Sequence, residues 1–413
     1  MDTLKEALQR YLRFDPTADQ FRHLTVLHQV IGFNQVNPLV VKIWRATVAL
    51  MCCQCFCFAY RVYMAIVQDL GFTYLMCALM VVGGYASGGA RMAGFSHFYG
   101  DFLALKTHLL KSSSLLRDDP EAVRIRREHY ENNQKFTLAM MAAGAGAISI
   151  WNMTDYRMTD QYAFPFDLTF LNPAIREVFE TLYGFYLLSL ATYFWIPFIT
   201  IRVGLRALRA EMLVVNRAYG EVFRKAATGA RFFEGCSDQP SKQAAKRFWS
   251  CLQHELSSVV GVHSALLDNV FRIRRLASVP FLAEVFASVS ITSIAIFLLM
   301  LLGSESLVLV GISCILLVES YYNSSLVEEL EEAHQATGHV VYGLEWPTLM
   351  KYDSSCVREY KNVRKILLVV IMRSQQSLNF HCGGLFKMSM DTFSVTVKTC
   401  YTIFSFLVQV QKD

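Results

Sequence analysis

Residues 285–322 read VFASVSITSIAIFLLMLLGSESLVLVGISCILLVESYY. Two apolar runs, Val279–Leu302 and Ser306–Tyr322, meet here at a short polar connection around GSE. Each run is close to the roughly twenty residues that an α-helix needs to cross the apolar core of a bilayer. The stretch therefore predicts two membrane-spanning helices joined by a tight turn, and with them an all-α membrane protein.

The composition of the whole chain agrees with this prediction. Of its 413 residues, 54% are hydrophobic and only 18% are charged, whereas ordinary soluble domains carry about 25% charged residues. Five further apolar stretches raise the number of predicted spans to seven. The seven spans are Pro38–Ile66, Gly71–Gly89, Phe136–Met153, Val178–Ile201, Val279–Leu302, Ser306–Tyr322 and Leu385–Val410.

The positive charges lie almost entirely on one side of the predicted spans. The residues up to Arg45 and the segments 91–135, 202–275 and 325–384 together hold 33 of the 39 Lys and Arg residues. Because positively charged loops stay in the cytosol, we predict a cytosolic N-terminus and an extracellular C-terminus. This inverted topology is opposite to that of a G-protein-coupled receptor.

The long hydrophilic segments follow the periodicity of amphipathic helices. Residues 117–136, 207–224 and 245–279 are expected to extend spans three, four and five into a packed cytosolic domain. We therefore predict a single domain over residues 1–413. Its parts are a cytosolic N-terminal segment at 1–37, spans one to six within 38–324, a cytosolic helical anchor segment at 325–384 and the last helix at 385–410.

Polar side chains form a stripe along the last predicted span. On a helix they fall within a sector of about 60°. The stripe consists of Asp391, Lys398, Thr402, Ser405 and Gln409. One interpretation is that the hydroxyls bond to backbone carbonyls and Lys398 reaches the interface or pairs with Asp391. The other is that the stripe lines a water-filled path on the axis of an oligomer, with Phe406 and Val410 forming a hydrophobic constriction.

The tail of the chain resembles the insect odorant receptor family. The resemblance rests on YGLEWPTL and on REYKNVRKILLVVIMRSQQSLNFHCGGLFKMSMDTFSVTVKTCYTIFSFLVQV. The family pattern is a Tyr and a Trp, an amphipathic helix ending in a Gln-containing motif, a Gly before an aromatic residue, and a Ser/Thr-Tyr helix. It corresponds here to Tyr342 and Trp346, Ile371–Gln376, Gly384 and Phe386, and Thr399–Tyr401.

The resemblance implies a ligand-gated, non-selective cation channel that forms a heterotetramer with the insect odorant co-receptor (Orco). The chain lacks the co-receptor's long second intracellular loop, so it is expected to be the odour-tuning subunit in the plasma membrane of olfactory sensory neuron dendrites. The alternative is a gustatory-receptor-like homomeric channel. The implied pore and gate residues on the last helix are Lys398, Thr402, Phe406, Gln409 and Val410.

The resemblance also implies a ligand pocket in the outer half of spans two to six. The family pocket places two small residues and an aromatic residue on span three, which Gly144, Ala147 and Trp151 supply; packing of small residues between helices is the alternative. The remaining candidates are Tyr74, Ala78 and Val81 on span two, Tyr183 and Leu187 on span four, and Phe297 and Leu309 on spans five and six. With no obvious charge there, the pocket suits neutral, semi-volatile ligands.

Two motifs resemble metal sites, and we interpret neither as one. The cysteines of MCCQCFC lie in an apolar helix and cannot converge on one metal ion. Glu331 and His334 have the Glu-x-x-His spacing of di-iron bundles, but the second such motif is missing, which disfavours a membrane-bound metalloenzyme. A transporter would be expected to show repeated halves with broken helices, and the sequence shows none. We therefore expect no catalytic residues, no metal, no cofactor and no nucleic acid partner.

Overall fold

The computed structural model of the chain is dominated by long helices. It describes residues 21–30, 32–33, 38–112, 115–116, 118–153, 169–234, 242–303, 307–344, 346, 350 and 356–412. The helices are α1 (Arg22–Val30), α2 (Pro38–Val67), α3 (Phe72–His97), α4 (Tyr99–Ser112), α5 (Pro120–Met153), α6 (Pro173–Glu234), α7 (Lys242–Leu302), α8 (Leu307–Gly343), α9 (Val357–Ser374) and α10 (Met390–Lys412). Two short strands, β1 (His381–Cys382) and β2 (Phe386–Lys387), form a hairpin between α9 and α10.

Each of the seven predicted spans coincides with part of one long helix. Spans one to seven lie in α2, α3, α5, α6, α7, α8 and α10. Among the described residues, α2, α3, α7, α8 and α10 are long and apolar enough to cross a membrane. Helices α5, α6 and α7 also continue through the hydrophilic segments, as their periodicity predicted. The prediction of an all-α membrane protein is confirmed.

Helix α7 lies at the centre of the bundle. It packs against α3, α4, α6, α8, α9, α10 and β1. Its sequence agrees with this position, because residues 245–279 have an apolar face that packs inward and residues 279–302 are mostly apolar on every side. The inner end of the bundle and the cytosolic extensions share one large apolar core. A smaller apolar cluster lies at the opposite, outer end.

Helix α5 begins at a defined polar cap. Pro120 occupies the first helical position, where its missing N–H is not needed. Asp119 precedes it and accepts a hydrogen bond from the Glu121 backbone N–H at 3.0 Å. Its carboxylate also pairs with Arg217 of α6, and this contact lowers the pKa of Asp119. The cap therefore fixes the start of α5 against α6.

The last helix begins at Met390 rather than at Leu385, so the predicted start of the seventh span is wrong. Residues 381–387 form the hairpin, in which His381 pairs with Lys387 and Cys382 with Phe386. Gly383 and Gly384 adopt φ angles of +59° and +80° at its turn. Only glycine takes up this backbone conformation readily, and it stops a helix from starting earlier.

Candidate functional site

The outer cluster brings together the outer ends of α3, α7, α8 and α10. Phe297 of α7 and Leu309 of α8, both predicted pocket residues, are buried in it. The ring of Phe72 on α3 packs edge-on against Phe297, with ring centroids 5.6 Å apart. The other buried members are Met76, Cys77, Met80, Ala287, Ile291, Ala295, Leu298, Leu316 and Leu407. The cluster is an apolar environment suited to a small neutral molecule.

The predicted residues of α3 do not all reach this cluster. Ala78 and Val81 are buried and Tyr74 is half-buried. Val81 belongs to the large inner core, whereas Met76, Cys77 and Met80 supply the α3 side of the outer cluster. Hydropathy does not distinguish the face of α3 toward α7 from the neighbouring faces of a largely apolar helix.

At five of the predicted pocket residues the structure describes the backbone but not the side chain. Gly144, Ala147 and Trp151 lie in α5, and Tyr183 and Leu187 lie in α6. Their helical backbone is described, but their side-chain surroundings are not. Their role in ligand binding therefore stays a prediction.

The predicted pore and gate residues all lie on the uncovered surface of α10. Lys398, Thr402 and Gln409 are exposed. Phe406 has 61% of its surface exposed and Val410 has 42%. Polar and charged side chains within a span are unfavourable in lipid and normally face a protein interior or water. The single chain thus leaves the polar stripe and both proposed constriction residues without a cover.

The opposite face of α10 is packed against the bundle. Thr396, Cys400 and Leu407 are buried there, about half a turn away from the stripe. The Ser293 hydroxyl of α7 donates to the Cys400 carbonyl at 3.1 Å, and the Cys400 thiol donates to the Ser288 carbonyl at 3.6 Å. These contacts fix the rotation of α10, so the stripe points away from the rest of the chain.

The hydroxyl groups of the stripe are bonded to their own helix. Thr402 donates to the Lys398 carbonyl at 3.1 Å, and Ser405 donates to the Tyr401 carbonyl at 2.9 Å. Bonds of this kind let a hydroxyl lie in an apolar environment at little cost. They leave Lys398 as the exposed cation of the stripe, and the described residues place no carboxylate within ion-pair distance of it.

The hairpin and polar contacts with α8 hold the start of α10. The Gly383 N–H donates to the Ser278 carbonyl of α7 at 2.9 Å. The Met390 N–H donates to Glu328 at 2.8 Å, and Lys387 pairs with Glu331 at 3.2 Å. The inner end of α10 is thus anchored to α7 and α8, while its outer end joins the apolar cluster through Leu407.

The family model of the 7tm odorant receptors matches residues 106–401. The chain belongs to the 7tm odorant receptor family. No curated protein sequence matches it significantly. The matched region contains α5 to α9 and about the first half of α10. It therefore includes most of the inner core, most of the outer cluster and the larger part of the tail that carried the resemblance.

Solved insect olfactory receptor structures show the same fold. The structure of olfactory receptor OR5 from Machilis hrabei is 12% identical, with a TM-score of 0.71, and the match covers 94% of this chain and 97% of that one. The structure of the same receptor in complex with eugenol is 14% identical, with a TM-score of 0.59 and the same coverage. This odorant receptor thus shares its architecture with them despite the low identity.

Glu331 and His334, whose spacing resembles that of a di-iron site, make polar contacts with other parts of this odorant receptor. Glu331 pairs with Lys387, and the His334 imidazole contacts the Arg373 carbonyl at 3.2 Å. Within the described part of the chain, no group of three or more His, Cys, Asp or Glu residues is arranged to hold a metal ion. Membership of a receptor family also agrees with the prediction that the chain is not an enzyme.

Proposed function

We propose that the chain is the odour-tuning subunit of a ligand-gated, non-selective cation channel that assembles with the insect odorant co-receptor. The observation that carries this proposal is α10, which packs through one face and leaves a polar stripe with Phe406 and Val410 uncovered. A stripe of this kind is unfavourable in lipid and favourable around water. A single helix cannot enclose water, so the proposal requires several subunits around one axis.

Phe406 and Val410 form the constriction of the proposed pore. They lie at the outer end of α10, beside the polar stripe. A ring of such apolar side chains closes a narrow pore by excluding water. Lys398, Thr402 and Gln409 then line the wider parts of the path, where water and ions contact polar groups.

The outer cluster is the proposed link between ligand and pore. Leu407 is buried in it and follows Phe406 directly in sequence, and Ile403, Phe404 and Val408 of α10 pack around it. A ligand that binds between the outer ends of α3, α7 and α8 changes the packing around Leu407. It thereby shifts the balance between closed and open arrangements of α10.

The ligand class follows from the chemistry of the cluster. Its hydrophobic side chains favour a small, neutral, semi-volatile compound held by shape and dispersion. The related receptor from Machilis hrabei has been solved with eugenol, which is consistent with a volatile odorant as the ligand here. Expression in the dendritic plasma membrane of olfactory sensory neurons is part of the same proposal.

Helix α9 offers a second surface for a partner subunit. One face packs through Val363, Leu367 and Val370. The opposite face leaves apolar and basic side chains around a groove of about 480 Å³. The groove is lined by Val357, Tyr360, Lys361, Arg364, Lys365, Leu368, Val369 and Met372. Exposed apolar side chains with a polar rim are typical of protein–protein contacts, so we assign this face to contact with the co-receptor.

The proposal is tested by current measurements in cells that express this chain with the co-receptor. We expect a panel of neutral volatile compounds to evoke a rapid cation current that needs neither a G protein nor a cofactor. Cells with the co-receptor alone are the control, and the same compounds should evoke no such current there. A current from this chain alone would replace the heteromer with a homomeric channel. Surface expression of both chains without any evoked current across a broad panel would contradict the proposal.

A further inference from the structure

Four polar side chains from three helices meet in the inner half of the bundle. Arg91 lies on α3, Glu284 on α7, and Glu319 and Asn323 on α8. Along the helix axes, at 1.5 Å per residue, these residues lie about 18 to 29 Å from the outer ends of their helices. Their exposed fractions are 1% for Arg91, 2% for Glu284, 3% for Glu319 and 1% for Asn323. The cluster is therefore closed to the solvent around the chain.

The hydrogen bonds give the two carboxyl groups different partners. Nη1 of Arg91 donates to Oε1 of Glu319 at 2.5 Å. Nδ2 of Asn323 donates to Oε2 of Glu284 at 2.7 Å. Glu319 thus has a charged partner, whereas Glu284 has a neutral amide. Among the described residues, the Phe194 ring and the Cys382 thiol of β1 also face the cluster, and the Phe194 ring centroid lies 4.8 Å from the Arg91 guanidinium carbon.

The charges of the cluster do not balance if both carboxyl groups are ionised. Two carboxylates and one guanidinium leave one negative charge in a buried environment. An isolated buried charge is strongly unfavourable, and a carboxyl group there takes up a proton instead. A metal cation is a poor alternative, because the Arg91 guanidinium lies in the same cluster and repels it.

We propose that Glu284 is a proton-binding site that is occupied in the folded receptor, while Glu319 is ionised and paired with Arg91. Four buried atoms of the cluster have no hydrogen-bond partner: Nε and Nη2 of Arg91, Oε1 of Glu284 and Oδ1 of Asn323. The last two support this assignment. Both are acceptors when Glu284 is ionised. A proton on Oε1 of Glu284 makes this atom a donor. It then complements the acceptor Oδ1 of Asn323, just as Nδ2 of Asn323 complements Oε2 of Glu284.

The bound proton keeps the inner ends of α3, α7 and α8 together. At alkaline pH the loss of this proton would leave a buried negative charge beside Glu319, and repulsion would push α7 and α8 apart. The free energy of unfolding should therefore fall as the pH rises. The ionised carboxylate of Glu284 is more favourable in water, in the unfolded chain, than in the folded interior. This inference concerns the folded chain itself and does not depend on the proposed odorant or on current through a pore.

The proton is detected by infrared spectroscopy of the purified full-length protein in lipid nanodiscs. At neutral pH we expect a carbonyl band of a protonated carboxylic acid that Glu284→Gln removes. The matched control is Glu332→Gln, which changes an exposed carboxylate on α8 and should leave the band unchanged. No band in the wild type, or a band that persists in Glu284→Gln, would overturn the proposal, and so would a band that only Glu319→Gln removes.

Thermal unfolding provides the second measurement. Glutamine resembles protonated glutamate in shape, so Glu284→Gln should leave the melting temperature near that of the wild type at neutral pH and reduce its fall at alkaline pH. Glu319→Gln leaves Arg91 without its charged partner and should lower the melting temperature or prevent folding. A large loss of stability in Glu284→Gln at neutral pH, or an unchanged alkaline fall, would contradict the assignment.

Discussion

At the residue scale, Gly94 sets how closely α3 approaches α7. A Cβ atom at this position would lie 2.7 Å from Cβ of Val279 and 2.9 Å from its Cγ1. These atoms lie next to the α7 backbone, so they cannot move aside as the end of a long side chain can. Overpacking of this kind typically costs about 1–3 kcal/mol. The contact explains why α3 carries a buried glycine in its last turn.

We predict that Gly94→Ala lowers the thermal stability of the full-length receptor. The matched control is Gly89→Ala on the same helix, where the added Cβ meets no atom within 4 Å. This control should be neutral or stabilising by up to about 1 kcal/mol, because alanine favours the helix. The measurement is the melting of the detergent-solubilised protein, followed by size-exclusion chromatography. Equal melting temperatures for the two variants would show that the contact is not tight.

The sequence identified individual surface positions better than individual pocket positions. The exposure of Lys398 and Phe406 follows from the arrangement of polar and apolar residues along one helix, which is a local property. The place of Val81 in the inner core and of Met80 in the outer cluster depends on how α3 is rotated against α7. No local pattern contains this rotation, because both residues lie among other apolar residues.

At the element scale, a buried imidazole helps to hold α1 against the bundle, together with the hydrogen bond from Lys106 to Thr25. Nε2 of His28 lies 2.9 Å from Oγ1 of Thr200 on α6, and Nδ1 lies 3.4 Å from the Tyr99 hydroxyl. Thr200 donates its own proton to the Ile196 carbonyl, so its oxygen accepts from Nε2–H of His28. Burial, with a smaller contribution from the charge of Lys106, lowers the pKa of His28 to about 3.

The direction of the pH effect follows from this pKa. A histidine in the unfolded chain has a pKa of about 6.5. The contribution of neutral His28 to the free energy of unfolding is therefore complete above that pH. It is lost progressively as the pH falls toward 3, by an amount on the order of several kcal/mol. We predict that His28→Gln weakens the acid-induced loss of melting temperature, while His254→Gln, at an exposed position, does not. An unchanged acid profile in His28→Gln would contradict the role of this imidazole.

The extent of most elements was predictable, and the start of α10 was not. The continuation of α6 and α7 through the charged segments follows from their unbroken helical periodicity. The hairpin before α10 has strands of two residues each, too short for any alternating pattern. Its position is fixed by contacts distant in sequence, such as that between Gly383 and Ser278. Hydropathy alone therefore extends the seventh span over the apolar residues that precede Met390.

At the scale of the whole molecule, the hydropathy of the chain determines the number of spans and the charge distribution predicts their orientation. Neither property specifies how the helices are arranged around α7 or which of their faces bind a ligand. That arrangement comes from shape complementarity between helices far apart in the chain, as in the outer cluster of Phe297, Leu309 and Leu407. The uncovered faces of α9 and α10 point to further subunits, since each is opposite a face that the chain itself covers.

The central claim is that the exposed stripe of α10 lines a pore, and cysteine accessibility tests it most directly. Thr402→Cys and Gln409→Cys each place a thiol on the stripe, whereas the native Cys400 on the same helix is buried. In cells that also express the co-receptor, a charged, water-soluble thiol reagent should reduce the odorant-evoked current of both variants and leave the wild-type current unchanged. Variants that open normally with odorant but are insensitive to the reagent at both positions would contradict the claim.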